Sequence, residues 1–205
     1  CVTFTNKAAR EMQSRISKFL HKKTSSMPWL GTFHSVSAKF LRKHAEAVEL
    51  NSRFTIIDQD DQLRLIKNIA KAENIDVKKL SPQFILSYME NWKNKGLKPG
   101  DVKSRGKFPL EKPILKIYKM YQEKLKILNS CDFGDLILHC VTMFENNSDI
   151  LKLYLNNFKY ILVDEYQDSN YIQSRWLNLL AQKKNNICCV GDDDQSIYSW
   201  RGAEI

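Results

Sequence analysis

Short apolar runs alternate with helical repeats over the first 53 residues of the chain. The segment Cys1–Thr5 has the pattern of a strand end, and apolar side chains follow at intervals of three or four. This spacing predicts an amphipathic helix with Thr5 or Asn6 as its N-cap. A second apolar run, Leu30–Phe33, precedes a second helical repeat from Val36 to Val48. The two successive strand and helix units indicate an α/β protein.

The pattern changes between residues 54 and 129, where helical repeats follow one another without strands. One of these helices has a clear start, because Ser81 is a favourable N-cap and Pro82 suits the first turn. We therefore predict three segments: a first core part (1–53), an inserted all-helical subdomain (54–129) and a second core part (130–205).

Strand and helix patterns return after Cys131. Asp132 is predicted to cap one helix, and a further helix is predicted at 149–157. The continuous apolar runs Tyr160–Val163 and Ile187–Val190 are typical of parallel strands buried on both faces. The predicted fold is a parallel sheet flanked by helices, with its chemistry at the carboxyl ends of the strands.

Charge divides the chain in the same way. The formal net charge is +9, which favours a polyanionic partner, although scattered surface lysine would give the same total. Residues 1–53 hold 10 basic and 3 acidic side chains, whereas residues 131–205 hold 6 basic and 11 acidic ones. The last part is therefore expected to do something other than bind phosphates, such as holding a metal ion.

Composition excludes several classes of protein. No stretch approaches the roughly 20 apolar residues of a membrane-spanning helix, and no signal peptide is recognisable, so a cytoplasmic protein without a membrane partner is expected. The five cysteines show no C-x-x-C spacing. They are predicted to be reduced and mostly buried.

The first candidate site follows the run that ends at Val163. Asp164 and Glu165 place two adjacent carboxylates at a strand end, which suits a nucleotide hydrolase with one carboxylate on Mg²⁺ and the next as base for water. A solvated strand end whose acids cap the next helix is an equally good interpretation of these residues alone.

The second candidate site follows Val190. Three consecutive aspartates, Asp192–Asp194, precede Gln195 and then the aromatic and basic residues Tyr198, Trp200 and Arg201. This composition suits a stacked base beside a phosphate. Ordinary packing of the aromatic rings is the alternative.

Four segments together resemble a known family. VTFTNKAAREM (2–12), GTFHS (31–35), VDEYQDSN (163–170) and VGDDDQSIYSWRGA (190–203) are similar to motifs Ia, Ib/Ic, II and III of superfamily 1 DNA helicases of the UvrD/Rep/PcrA type. They occur in the family's order over nearly the whole chain. The resemblance implies a RecA-like core, truncated at its N-terminus, with ATP and Mg²⁺ as cofactors.

The resemblance also implies residue roles. Asp164 matches the Mg²⁺ ligand, Glu165 the catalytic base, and Gln195 a catalytic residue that contacts the γ-phosphate of ATP. The implied DNA-binding positions are Phe4, Thr5, Asn6, Thr32, Phe33, His34, Phe133, Tyr198, Trp200 and Arg201. The implied activity is ATP-dependent 3′–5′ translocation on single-stranded DNA and unwinding of duplex DNA, in repair or replication and with the accessory proteins of those processes.

The chain departs from the family pattern in one respect. No G-x-x-x-x-G-K-[ST] phosphate loop occurs in its 205 residues, and motifs IV to VI are missing too. We therefore expect a piece of a longer helicase that is inactive alone. A helicase subunit of a recombination helicase–nuclease and a non-catalytic single-stranded-DNA-binding module remain alternatives, and a two-metal nuclease built on Asp192–Asp194 is a weaker one.

Overall fold

The computed structural model describes residues 1–21, 27–103, 110–183 and 185–196. Its strands are short, and its helices carry most of the fold. The strands are β1 (Val2–Thr3), β2 (Gly31–Thr32), β3 (Thr55–Ile56), β4 (Ser130–Cys131), β5 (Ile161–Val163) and β6 (Ile187–Cys189). The helices are α1 (Asn6–Leu20), α2 (Phe33–Lys43), α3 (Gln59–Ala72), α4 (Pro82–Asn94), α5 (Glu111–Ile127), α6 (Phe133–Asn146), α7 (Ser148–Asn157) and α8 (Tyr171–Ala181).

Four of the strands form one parallel sheet in the order β2, β1, β5, β6. Val2 pairs with Gly31 on one side and with Val163 on the other, and Val163 also pairs with Cys189. Residues 1–3 and 161–163 are therefore central in the sheet although they are far apart in sequence. The predicted α/β fold with a parallel sheet flanked by helices is confirmed.

Local signals set the helix starts as predicted. The Thr5 side chain accepts a hydrogen bond from the Ala8 N–H, so Thr5 is the N-cap of α1. Ser81 caps α4 with Pro82 in its first turn, and Asp132 caps α6. Each cap satisfies a backbone donor that the helix itself leaves unpaired.

The buried apolar side chains form two clusters. One draws on residues 2–54 and 131–180 and surrounds α6, which is buried on most of its circumference. The other draws on residues 66–125, from α3, α4 and α5. Between them lies a second, two-stranded parallel sheet in which Thr55 pairs with Ser130, so the stretch predicted to be entirely helical begins with a strand.

Two expectations about burial are wrong. Leu162 is 47% exposed and Val190 is 58% exposed, so the sheet is not buried on both faces at β5 and β6. Cys131 and Cys140 are buried, but Cys188 and Cys189 are exposed, so the cysteines are not mostly buried. Cys188 and Cys189 lie in β6, the last strand of the sheet, which among the described strands pairs on one side only, with β5.

Two further elements differ in extent from the prediction. The second strand contains only Gly31 and Thr32, because Thr32 already caps α2 and Phe33 opens that helix. The helix predicted to reach Val48 ends at Lys43 and is followed by a 3₁₀ turn at Ala45–Val48. Among the described residues, no helix is long and apolar enough to cross a membrane.

Candidate ATP and DNA site

Asp164 and Glu165 directly follow β5, at the edge of the sheet formed by the carboxyl ends of its strands. The Asp164 N–H donates to the Val2 carbonyl at 3.0 Å, and the Tyr166 N–H donates to the Val190 carbonyl at 2.9 Å. These bonds tie the segment after β5 to β1 on one side and to the end of β6 on the other. The two acidic segments predicted from the sequence therefore lie side by side, as expected for adjacent parallel strands.

Glu165 has a left-handed backbone with φ of 57°. This conformation costs on the order of 1 kcal/mol for a residue with a Cβ, and it persists only where the surrounding structure fixes it. Here the Glu165 carbonyl accepts from the Asp168 N–H at 3.0 Å, within the 3₁₀ turn Tyr166–Asp168. The strained turn fixes the direction in which the Glu165 side chain leaves the backbone.

Gln167 contacts both acidic segments. Its Nε2 donates to Oε2 of Glu165 at 2.7 Å, and its Oε1 accepts from the Asp192 N–H at 3.1 Å. The side chain is only 5% exposed. Sequence reasoning did not select this residue, although a glutamine two positions after a candidate catalytic acid is a signal that could have found it.

The aspartates after β6 do not converge on a single point. Asp192 accepts from the Asp194 N–H at 3.1 Å through Oδ1 and from Gln195 Nε2 at 2.6 Å through Oδ2. Across the described ranges, no group of three or more His, Cys, Asp or Glu side chains is arranged to hold a metal ion. Tyr198, Trp200 and Arg201 lie outside the described residues.

Asp164 fits the role of a single carboxylate ligand for Mg²⁺. It is half-buried at the strand end, and within the described part of the chain it forms no ion pair with a basic side chain. A carboxylate oxygen is the hard donor that Mg²⁺ prefers, and Mg²⁺ sites commonly use one or two such ligands with water.

The residues predicted to bind DNA near the N-terminus include two threonines that cap helices and two aromatic rings. Thr5 and Thr32 use their hydroxyls to cap α1 and α2, and Asn6 is exposed at the start of α1. The Phe4 and Phe33 rings lie 5.1 Å apart. Phe33 is 1% exposed and packs against Trp176, so its side chain has no surface to offer a base and instead supports its neighbours.

Phe133 supplies an exposed ring on this surface, and the partly buried His34 lies beside it. Their rings lie 5.8 Å apart in an edge-on arrangement, and Phe133 is 52% exposed at the start of α6. Burial lowers the pKa of His34 to about 4, so its ring is neutral at physiological pH. An exposed aromatic ring beside a neutral imidazole suits stacking on a base of a single strand.

Comparison with known proteins decides the family. A model of the UvrD/REP helicase N-terminal domain matches residues 1–205. The chain belongs to this family. It is 47% identical over 207 residues to a probable DNA helicase II homolog of Rickettsia conorii, and 48% identical over 208 residues to a DNA helicase II of Rickettsia typhi. It is 42% identical over 204 residues to the ATP-dependent DNA helicase PcrA of Staphylococcus aureus.

These similarities cover the whole of this chain but only part of each relative. The chain spans 31% of the length of the two Rickettsia proteins and 28% of the length of the Staphylococcus aureus protein. The family resemblance identified from the motifs is confirmed, and the domain in question is the N-terminal one of the UvrD/REP family.

A buried ionic cluster in this UvrD/REP domain escaped sequence reasoning. Lys93 of α4 reaches Asp132 and Asp135 at the start of α6, with Nζ to oxygen distances of 2.5 and 2.7 Å. The Tyr121 hydroxyl donates to Asp132 at 2.9 Å. All three charged residues are at most 3% exposed. Gly134 leaves room for the lysine, since a Cβ there would lie 2.9 Å from the Lys93 side chain.

The cluster shifts the pKa values of its members. Burial opposes the charged form of Lys93, but the two carboxylates raise its pKa above the ordinary value. Burial also opposes ionisation of Asp135, yet Lys93 holds the pKa of Asp135 below its ordinary value. Asp132 caps α6, and Phe133 is the first residue of that helix. The cluster therefore fixes the backbone from which the exposed Phe133 side chain projects.

A cleft of about 470 Å³ in this domain lies away from the strand ends. It is bordered by the loop after α4 and by α6 and α8, and its lining includes side chains of both signs, such as Lys98, Asp101, Glu145 and Arg175. Glu145 and Arg175 already pair with each other across it at 2.5 Å. None of the candidate residues at the strand ends lines this cleft.

Proposed function

We propose that this chain is the part of an ATP-dependent DNA helicase that provides the catalytic base and the Mg²⁺ ligand for ATP hydrolysis. The helicase translocates 3′ to 5′ on single-stranded DNA and unwinds duplex DNA during repair or replication. The observation that carries the proposal is the meeting of Asp164 and Glu165 with the Asp192–Gln195 segment at one sheet edge, in a chain of the UvrD/REP family.

Three side chains have separate proposed roles in ATP hydrolysis. Asp164 would hold Mg²⁺, which when bound neutralises charge on the phosphate oxygens. Glu165 accepts the proton of the water that attacks the γ-phosphate. Gln195, five residues before Trp200 in sequence, contacts the γ-phosphate and connects the nucleotide to the DNA-binding residues that follow it.

The DNA side is assigned to the surface around Phe133. His34 lies beside Phe133, and Phe4, Thr5, Thr32 and Phe33 are proposed to support this surface from the core and the helix caps. The exposed Asn6 at the start of α1 is proposed to extend it. Tyr198, Trp200 and Arg201 are proposed to extend the base-stacking track. Residues 54–129 are proposed to act as an inserted subdomain whose basic charge attracts the phosphate backbone.

The remaining assignments follow from the same proposal. The 205 residues alone are proposed to be inactive, because phosphoryl transfer needs a phosphate cradle and cationic side chains that this chain does not contain in the family's motifs. Location in the cytoplasm and partnership with repair or replication proteins stay predictions.

The decisive experiment substitutes Glu165 in the full-length protein. Glu165→Gln is expected to lower kcat for single-strand-stimulated ATP hydrolysis by roughly 10²- to 10⁴-fold, the contribution of a general base. Single-stranded DNA binding should persist, because the carboxylate is not part of the DNA surface. Glu46→Gln, at an exposed site in the 3₁₀ turn after α2, is the matched control and should keep the wild-type rate.

The outcomes separate this proposal from its rivals. Wild-type hydrolysis by Glu165→Gln would refute the role of Glu165 as base. A full-length protein that binds single-stranded DNA but does not hydrolyse ATP would instead be a non-catalytic binding module. Magnesium-dependent cleavage of DNA would favour a helicase–nuclease, and loss of that cleavage on Asp193→Asn would place it at the aspartates after β6.

A further inference from the structure

The buried amide of Gln167 joins the proposed base to the end of β6. We propose that Gln167 is a positioning residue for ATP hydrolysis, which holds the Glu165 carboxylate in one orientation and ties it to the backbone at Asp192. This inference rests on the function proposed above for Glu165. It assigns to Gln167 a task in the chemistry rather than only in packing.

The two hydrogen bonds of Gln167 leave one chemically acceptable orientation of its amide. A carboxylate only accepts hydrogen bonds, so Nε2 must be the atom that faces Glu165 at 2.7 Å. A backbone N–H only donates, so Oε1 must be the atom that faces Asp192 at 3.1 Å. Of the side chains with this length, only glutamine supplies a donor to one partner and an acceptor to the other without taking up a proton.

The surroundings hold this amide in place. Gln167 is 5% exposed, and Gly191 packs directly against it. A Cβ at Gly191 would lie 2.6 Å from Gln167 Oε1 and 3.1 Å from the Gln167 backbone nitrogen. The hydrogen bond from the Tyr166 N–H to Val190 closes the same space from the backbone side. The amide is therefore confined between two strand ends.

This confinement matters because, among the described residues, the Gln167 amide is the one hydrogen-bond partner of the Glu165 carboxylate. A glutamate side chain has several rotatable bonds, and ordering them costs conformational entropy. A base that is already held in place does not lose this entropy during the reaction. Gln167 supplies a charge-assisted hydrogen bond to one oxygen and leaves the other oxygen for the attacking water. Asp192 in turn accepts a hydrogen bond from Gln195 Nε2 at 2.6 Å through its Oδ2. Glu165, the proposed base, and Gln195, the proposed γ-phosphate contact, therefore belong to one hydrogen-bond network.

The test compares two substitutions in the full-length protein. Gln167→Met keeps the approximate volume but removes both hydrogen bonds. It is expected to lower kcat for ATP hydrolysis by roughly 10- to 100-fold, as misplacement of a catalytic group does, with KM for ATP nearly unchanged. Gln167→Glu keeps the shape but places a second carboxylate beside Glu165.

The pH profile of Gln167→Glu provides the readout that packing alone would not change. Two carboxylates at hydrogen-bonding distance hold a proton between them, so the acidic limb of the kcat profile should move to higher pH. The other acidic groups in these segments are Asp164, Asp168, Asp192, Asp193 and Asp194, and they are the same in every variant. In Gln167→Met the rate should fall without this movement.

A matched control is Gln173→Met, which removes another buried glutamine from the capping box of α8. It should lower the melting temperature without moving the pH profile. If both Gln167 variants keep the wild-type kcat and profile while Glu165→Gln is inactive, only the positioning role is overturned. That role is equally overturned if both variants behave like Gln173→Met. If Glu165→Gln is itself active, the function proposed for Glu165 fails first.

Discussion

Asp132 and Asp135 at the start of α6 differ from Asp164 and Glu165 at the end of β5 in what surrounds their charge. The first pair is at most 3% exposed, and its two carboxylates share the single cation of Lys93 from within the chain. The second pair is half-buried, and the Glu165 carboxylate accepts from the neutral amide of Gln167. Within the described ranges, no basic side chain forms an ion pair with Glu165.

This difference separates acids that stabilise the fold from acids that are available for chemistry. A carboxylate bonded to a buried lysine is held in one position, and removing its partner is costly. A carboxylate held only by an amide keeps its negative charge accessible to a metal ion or a proton. The acids proposed to be functional therefore differ from the buried pair in forming no ion pair with a described basic side chain.

The largest effect expected from this comparison is on stability at the α4–α6 junction. Lys93→Met should lower the free energy of unfolding by about 3 to 5 kcal/mol, because it leaves two buried carboxylates without their cation. Urea unfolding followed by circular dichroism measures the loss. Lys152→Met, which removes an exposed ion pair to Asp149, is the control and should cost no more than about 1 kcal/mol.

The pH dependence of the Lys93→Met loss gives a second check on its cause. In the native protein, Lys93 depresses the pKa of Asp135, so this stabilisation is present above the ordinary aspartate pKa and is lost as pH falls through the folded value. Without the lysine, burial favours the protonated acids. The difference between variant and wild type should therefore shrink toward acidic pH, and a constant difference would point to lost packing instead.

A smaller effect is expected at His34, where burial acts without a charge partner. Its folded pKa is about 4, against an ordinary value of 6.5. The unfolded chain therefore binds a proton that the folded chain does not, and stability should fall by about 2 to 3 kcal/mol as pH drops from 6.5 to 4. His34→Gln should remove this part of the pH dependence.

Phe133→Ala sharpens the His34 measurement. The Phe133 ring lies against His34, so its loss exposes the imidazole and should bring the pKa of His34 closer to its ordinary value. The pH dependence should then be weaker than in the wild type but still present. An unchanged dependence in both variants would mean that another group is responsible.

Local signals explain what the sequence predicts well in this fold. Ser81 and Asp132 are helix caps, and a cap acts within four residues, so its pattern is visible in the sequence. The adjacent acids Asp164 and Glu165 follow a clear apolar run. The strands Thr55–Ile56 and Ser130–Cys131 could not be predicted, because two residues are too short for any periodicity.

Contacts between distant segments explain what sequence reasoning missed. Gln167 depends on Gly191, and Phe33 is buried by Trp176, a residue 143 positions later in the chain. Lys93 left a usable signal, since it follows Ile85 and Met89 at intervals of four on the buried side of α4. A lysine on an apolar stripe predicts a buried carboxylate partner, but the sequence does not say which one.

The smallest effect on stability is expected where the effect on activity is largest. Glu165→Gln should change the free energy of unfolding by no more than about 0.5 kcal/mol. The substituted amide oxygen can still accept from Gln167 Nε2, the backbone at φ of 57° carries a side chain of the same shape, and no ion pair with a described basic side chain is lost. Urea unfolding beside the ATPase assay measures both quantities on one sample. A loss approaching that of Lys93→Met would show that Glu165 stabilises the fold as Asp132 and Asp135 do, and the distinction between the two acidic pairs would fail.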